Sequence, residues 1–229
     1  MRLLTRLLSL LGLIALASTA PATPRDWTRT VSATKEGGYL IGNPAAPVKV
    51  IEYFSLTCPH CRHFAETGMA PLKSGYVAKG KVSLELRNFV LNPPDLSASL
   101  LMRCGSPTQA VRLFDAIYAD QDKLFAGAYT MGGEAADRVN VAPEPQRAAV
   151  LAREAAIDTW FAARGVPAER AAACLADPKR QQQLVTLREQ AVSSFNVQGT
   201  PSFVVNGKLV EGTGWNDLEP AIAKALGGK

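Results

Sequence analysis

The sequence predicts an α/β fold: a mixed sheet flanked by helices, interrupted by an inserted all-helical unit. Three observations predict it. Val48-Lys49-Val50-Ile51-Glu52-Tyr53-Phe54 is short, apolar and rich in β-branched and aromatic residues, the pattern of a buried strand. From about residue 95 to 194 such runs vanish, and Ala, Leu, Arg, Gln and Glu dominate. Strand character then returns at Ser202-Phe203-Val204-Val205, followed by Asn206-Gly207, a strong two-residue hairpin turn.

The elements follow in order. Residues 23–47 read as a loose lead-in containing Trp27, with turn signals at Gly37-Gly38 and Gly42-Asn43-Pro44. After the first strand, Ser55 to Pro59 is a turn, and a helix starts at Pro59, where proline is well tolerated. Lys81 to Leu91 is a second strand, stopped by Asn92-Pro93-Pro94. Residues 48–94 therefore outline a βαβ unit. In the helical block of 95–194, Ser106-Pro107 reads as an N-cap and first helical residue, with Ala110, Phe114, Ile117 and Tyr118 on one face. Gln146 to Arg164 forms another helix, stopped by Gly165; Pro167 to Ala176 and Lys179 to Ser194 form two more. Residues 195–229 complete the sheet with the hairpin Ser202 to Val210 and a closing helix, Trp215 to Leu226.

The N-terminus carries an address. Arg2 and Arg6 form a positive region, Leu7 to Ala17 is apolar, and small residues follow to Ala22. Residues 1–22 read as a cleaved secretory signal peptide, with a retained membrane anchor as the alternative. Ala15-Leu16-Ala17 and Ala20-Pro21-Ala22 both fit a cleavage site. Cleavage removes two of the five net positive charges and no acid. The remaining charge is too mild to argue for nucleic acid, and no phosphate-cradling glycine motif is present. The cysteine count is even: Cys58, Cys61, Cys104 and Cys174. With export, that implies a compartment where disulfides persist.

The chemistry concentrates where the first strand ends and the first helix begins. Cys58-Pro59-His60-Cys61 puts a thiol at a helix N-terminus, whose unpaired N–H groups and partial positive charge stabilise a thiolate. Cys58 reads as the exposed nucleophile and Cys61, one turn further in, as the shielded resolving thiol. Pro59 and His60 between them tune the pair, since His60 adds positive character beside Cys58 and favours the dithiol. Zinc is the alternative, but Cys104 and Cys174 are far apart in sequence, and His60 and His63 lack a standard ligand spacing. His63 reads as a solvated helix residue. Glu52 is an acid in an otherwise apolar strand, either buried with a perturbed pKa or facing solvent. Thr200-Pro201 precedes the returning strand, and either a cis bond or a plain trans turn fits there.

Together these segments resemble a known family. Val50 to Cys61 looks like the active-site segment of the DsbA-type thiol:disulfide oxidoreductases, and Gly199 to Gly207 is similar to their cis-proline segment. The resemblance implies a thioredoxin fold with a helical insertion, and a Thr200-Pro201 bond lying cis beside Cys58, with the Thr200 backbone free to pair with an extended substrate strand. It implies that Glu52 is a buried acid aiding proton transfer at Cys61. Cys104 and Cys174 resemble a second disulfide found in some branches, with two free buried thiols as the alternative. The activity implied is transfer of the Cys58–Cys61 disulfide to unfolded or folding exported proteins in the periplasm. Reoxidation would come from a quinone-linked membrane partner similar to DsbB, with no metal or organic cofactor. An isomerase or reductase on the same scaffold, or a non-catalytic holdase, is the alternative function.

Overall fold

The β-branched and aromatic run Val48–Phe54 forms the central strand β3, and the computed structural model, which describes residues 25–227, builds the sheet outward from it. The expected signal segment, 1–22, lies outside the described residues. On one side β3 pairs parallel with β4 (Val82–Asn88). On the other it pairs antiparallel with β5 (Ser202–Val205). Asn206 and Gly207, both at positive φ (47° and 81°), turn β5 into β6 (Lys208–Leu209). Positive φ at both central residues is the hairpin geometry that Asn-Gly favours. The parallel β3–β4 connection carries α1 (Pro59–Thr67), α2 (Met69–Leu72) and a π-helical turn over Lys73–Val77.

The expected loose lead-in is corrected. A 3-10 turn over Trp27–Arg29 leads to β1 (Val31–Ala33) and β2 (Tyr39–Gly42), which extend the sheet beyond β4. The strand order is β1-β2-β4-β3-β5-β6. Gly37, at φ 93°, closes the β1–β2 turn, where the Thr34 hydroxyl accepts the Gly38 N–H at 2.9 Å. Tyr39 and Ile41 then face the core and cover what would be a bare β4 edge.

Between β4 and β5 the chain is helical: α3 (Pro93–Met102), α4 (Pro107–Ala119), α5 (Gln121–Tyr129), α6 (Gly133–Val141), α7 (Glu144–Glu154), α8 (Ile157–Ala162), α9 (Ala168–Leu175) and α10 (Pro178–Phe195). Ser106 caps α4, its hydroxyl accepting the Gln109 N–H. The helix predicted over Gln146 to Arg164 is two, α7 and α8, because Ala156 is left-handed at φ 56°. Helices α3, α5 and α6 are additional to those predicted. The Asn92-Pro93-Pro94 run that ends a strand also starts α3: the Asn92 carboxamide oxygen accepts the Asp95 N–H. A final helix, α11 (Trp215–Gly227), packs back on β5 and β3.

Alternation along β3 separates two cores. Val48, Val50 and Phe54 enter the larger one, with Phe64 of α1, Phe114 of α4 and Leu218 of α11. Tyr53 enters a smaller one on the opposite face, with Val204 and with Ala191 of α10. Phe54 meets Phe114 edge-on at 4.9 Å, and Phe114 meets Tyr118 the same way at 4.8 Å, so the helical block is seated on the strand that leads to Cys58.

Cys104, just beyond α3, is disulfide-bonded to Cys174 of α9 across a sequence separation of 70. Closing a loop of that length removes denatured-state entropy worth about 4 kcal/mol. The double substitution Cys104→Ala/Cys174→Ala is expected to lower the unfolding free energy in denaturant by about that amount.

Candidate active site

The end of β3 and the start of α1 meet at Cys58. Cys58 is the N-cap of α1, with extended backbone (φ −80°, ψ 122°), and Pro59 takes the first helical position. This leaves the His60 and Cys61 N–H groups without helical acceptors, and both point to the Cys58 sulfur. The Thr200-Pro201 bond is cis, and the Cys58 thiol donates to the Thr200 carbonyl at 3.1 Å. Phe64 of α1 packs against Phe203 of β5 at 4.5 Å, clamping the helix mouth to the proline segment.

Both thiols are free in this structure. Cys58 is less exposed than its sequence position suggests, at 6% accessibility, because the Thr200-Pro201 segment covers it; Cys61 has none. Pro59, His60 and His63 are exposed. The pair is electrostatically split. Donation from the Cys61 thiol foremost, joined by the Cys61 and His60 backbone N–H groups, lowers the Cys58 pKa to about 5 against the cost of burial. Burial foremost, then its hydrogen bond to the Cys58 sulfur and the Glu52 and Cys58 charges, pushes Cys61 well above the usual thiol range.

The comparisons agree with this geometry. The family model described as Thioredoxin matches residues 34–224. The solved structure of a protein-disulfide isomerase from Novosphingobium aromaticivorans is 32% identical, covers 82% of this chain and 96% of its own, and superposes with a TM-score of 0.76. The chain belongs to the thioredoxin family. A Wolbachia pipientis α-DsbA1 structure shares the fold at 22% identity and a TM-score of 0.64, covering 86% of this chain and 94% of that one. A Rickettsia bellii relative that bears the name protein-disulfide oxidoreductase is 31% identical over 83% of this chain. The chain spans 65% of that relative's length.

In this thioredoxin-family site Glu52 lies one strand residue from Tyr53 and shares the parity of Val50 and Phe54, so its side chain enters the larger core. It is fully buried, and neither carboxylate oxygen has a hydrogen-bond partner. Burial raises its pKa to about 8, tempered by the charge of Lys73, which is itself paired with Asp115 at 3.1 Å. Its solvent-facing alternative is therefore set aside. At neutral pH Glu52 holds its proton.

Asn92 and three residues of the helical block, none of them read from the sequence as part of the site, also reach the turn ahead of Cys58. Asn92 donates to the Thr57 hydroxyl at 2.9 Å. Asp95 accepts from the Ser55 hydroxyl at 2.6 Å and from the Leu56 N–H at 3.1 Å. Tyr118 donates to the Ser55 carbonyl at 2.9 Å, and Gln121 donates to the Leu56 and Cys58 carbonyls at 2.8 and 3.1 Å. Only Asn92, as a cap before two prolines, left a local signal; the others sit 39 to 65 residues from their partners.

The Glu52 proton has a stability consequence. The folded chain holds it up to about pH 8, the unfolded chain only to 4.5. Between those values the folded state binds more protons, so this group's contribution falls as pH rises. Glu52→Gln in the oxidised protein is expected to match the parent near pH 4.5 and to exceed it increasingly up to pH 8. The full gain is up to about 5 kcal/mol at ~1.4 kcal/mol per pKa unit, about 4 kcal/mol of it developing between pH 5 and pH 9 in denaturant unfolding.

Proposed function

We propose that this chain is an exported thiol:disulfide oxidase, donating the Cys58–Cys61 disulfide to folding secreted proteins. The observation that carries the reading is the split of the two thiols, Cys58 pulled down to about 5 and Cys61 pushed up. A stabilised Cys58 thiolate favours the dithiol over the disulfide, which makes the disulfide an oxidant.

The steps follow from that split. A client thiolate attacks the Cys58 sulfur, the Cys58–Cys61 bond breaks, and Cys61 leaves with the electron pair. Glu52 supplies the proton that Cys61 needs in its buried position. A second client thiolate then attacks the client sulfur of the mixed disulfide. Cys58 departs as a thiolate held by the His60 and Cys61 N–H groups. The client loses two electrons and gains a disulfide; the enzyme ends as the dithiol. The Thr200 segment, beside Cys58, is the place for a client strand to pair by its backbone. Residues 48–94 and 195–229 supply the redox site, and the 95–194 block supports it, with Cys104–Cys174 as a structural bond. The segment 1–22 would direct the chain to the periplasm, where a DsbB-like quinone-linked membrane protein would reoxidise it.

An isomerase on the same site is the second reading, favoured by the name of the Novosphingobium neighbour. The equilibrium of Cys58–Cys61 with glutathione separates oxidase from reductase. The oxidase reading expects a potential near the oxidising end of the family, about −120 mV. A value near that of thioredoxin, about −270 mV, overturns it. Refolding of a scrambled disulfide protein by the dithiol form, at a rate rivalling its oxidation of reduced substrate, would favour the isomerase.

A further inference from the structure

The turn Ser55–Thr57 joins β3 to α1, and every donor around the Cys58 sulfur depends on where it lies. Ser55 is its junction. Its carbonyl accepts the Cys58 N–H at 3.1 Å as well as the Tyr118 hydroxyl, and its own N–H faces the Cys61 sulfur. Its hydroxyl donates to Asp95 at 2.6 Å. Asp95 has no exposed surface and is bound by four donors: the Ser55 and Ser99 hydroxyls and the Leu56 and Leu91 N–H groups. Two of these are backbone N–H groups that can only donate, so the site requires an acceptor. A carboxylate, with lone pairs on both oxygens, can serve all four at once; a carboxamide cannot. Burying an acid costs stability, and a merely structural anchor could be built from neutral groups. This one is placed where α3 meets the redox turn.

We infer that Asp95 is a positioning residue for the redox pair, fixing the Ser55–Thr57 turn from the helical block so that the Cys58 sulfur stays on the N–H groups of α1 and beside Thr200. The inference rests on Cys58 and Cys61 being the redox pair, in whichever direction they work. Asp95 touches neither sulfur, and its effect is through geometry. Gln121, which holds the Leu56 and Cys58 carbonyls of the same segment, supports it from α5.

The test uses the full mature chain and three variants. Asp95→Asn keeps the shape but turns one acceptor into a donor. Ser55→Ala cuts the link from Asp95 to the turn. Ser99→Ala cuts an Asp95 bond that does not reach the turn. For each, the Cys58 thiolate titration at 240 nm and the equilibrium with glutathione are measured. Asp95→Asn is expected to lower the Cys58 acid dissociation constant and to shift the glutathione equilibrium toward the disulfide, each about tenfold, the latter being ~30 mV. Ser99→Ala should stay within threefold of the parent. A shift under threefold in Asp95→Asn overturns the inference even if its melting temperature falls, and so does an equal shift in Ser99→Ala. If Asp95→Asn does not fold, Ser55→Ala is read by the same threshold. Each variant is read as a ratio to the parent, so a reducing parent potential would defeat the oxidase reading and leave this inference to be decided separately.

Discussion

A sulfur at the mouth of a helix, set where N–H groups favour its anion, is the interaction on which this structure turns. Helix α1 begins with Pro59 directly after Cys58, so the first free N–H groups converge on one sulfur. They stabilise charge at Cys58 and do nothing comparable for Cys61, which is fully buried inside the first turn. The difference between the two thiols is a consequence of one helix start. Everything nearby either delivers that start to the right place or covers it: β3 beneath, the cis Thr200-Pro201 segment at the side, and the helical block above.

Glu52 extends the same logic into the core. A carboxyl group with no hydrogen-bond partner is costly to bury, and the chain tolerates it on the face of β3 that runs to Cys58. Its pKa and that of Cys61 are raised by the same cause, desolvation, which is also what makes the buried acid costly. This is the sense in which the site is strained electrostatically, with no unusual backbone in β3 or α1.

Much of this was legible in the sequence because it is local. The Cys58-to-Cys61 spacing, Pro59, the lone acid in an apolar strand, the Thr200-Pro201 pair and the Asn206-Gly207 turn each carry their meaning within a few residues. The lead-in misled because β1 and β2 are short; Tyr39-Leu40-Ile41 earns its strand from pairing with β4, which the local pattern does not display. The brace of Asp95, Tyr118 and Gln121 was invisible for a related reason. An acid after two prolines reads as ordinary helix-start chemistry, and its working partner lies forty residues earlier. Such residues become readable only when the topology has brought α3, α4 and α5 against the end of β3.

The central claim is that the fold, through the helix start, the proline segment and Cys61, holds Cys58 as a thiolate in mildly acidic solution. The most direct measurement is absorbance at 240 nm of the reduced protein titrated from pH 3 to pH 9, with Cys58→Ser as the blank. The account predicts a single transition centred near pH 5, absent from the blank. A transition near the ordinary thiol value of about 8.5 would contradict it.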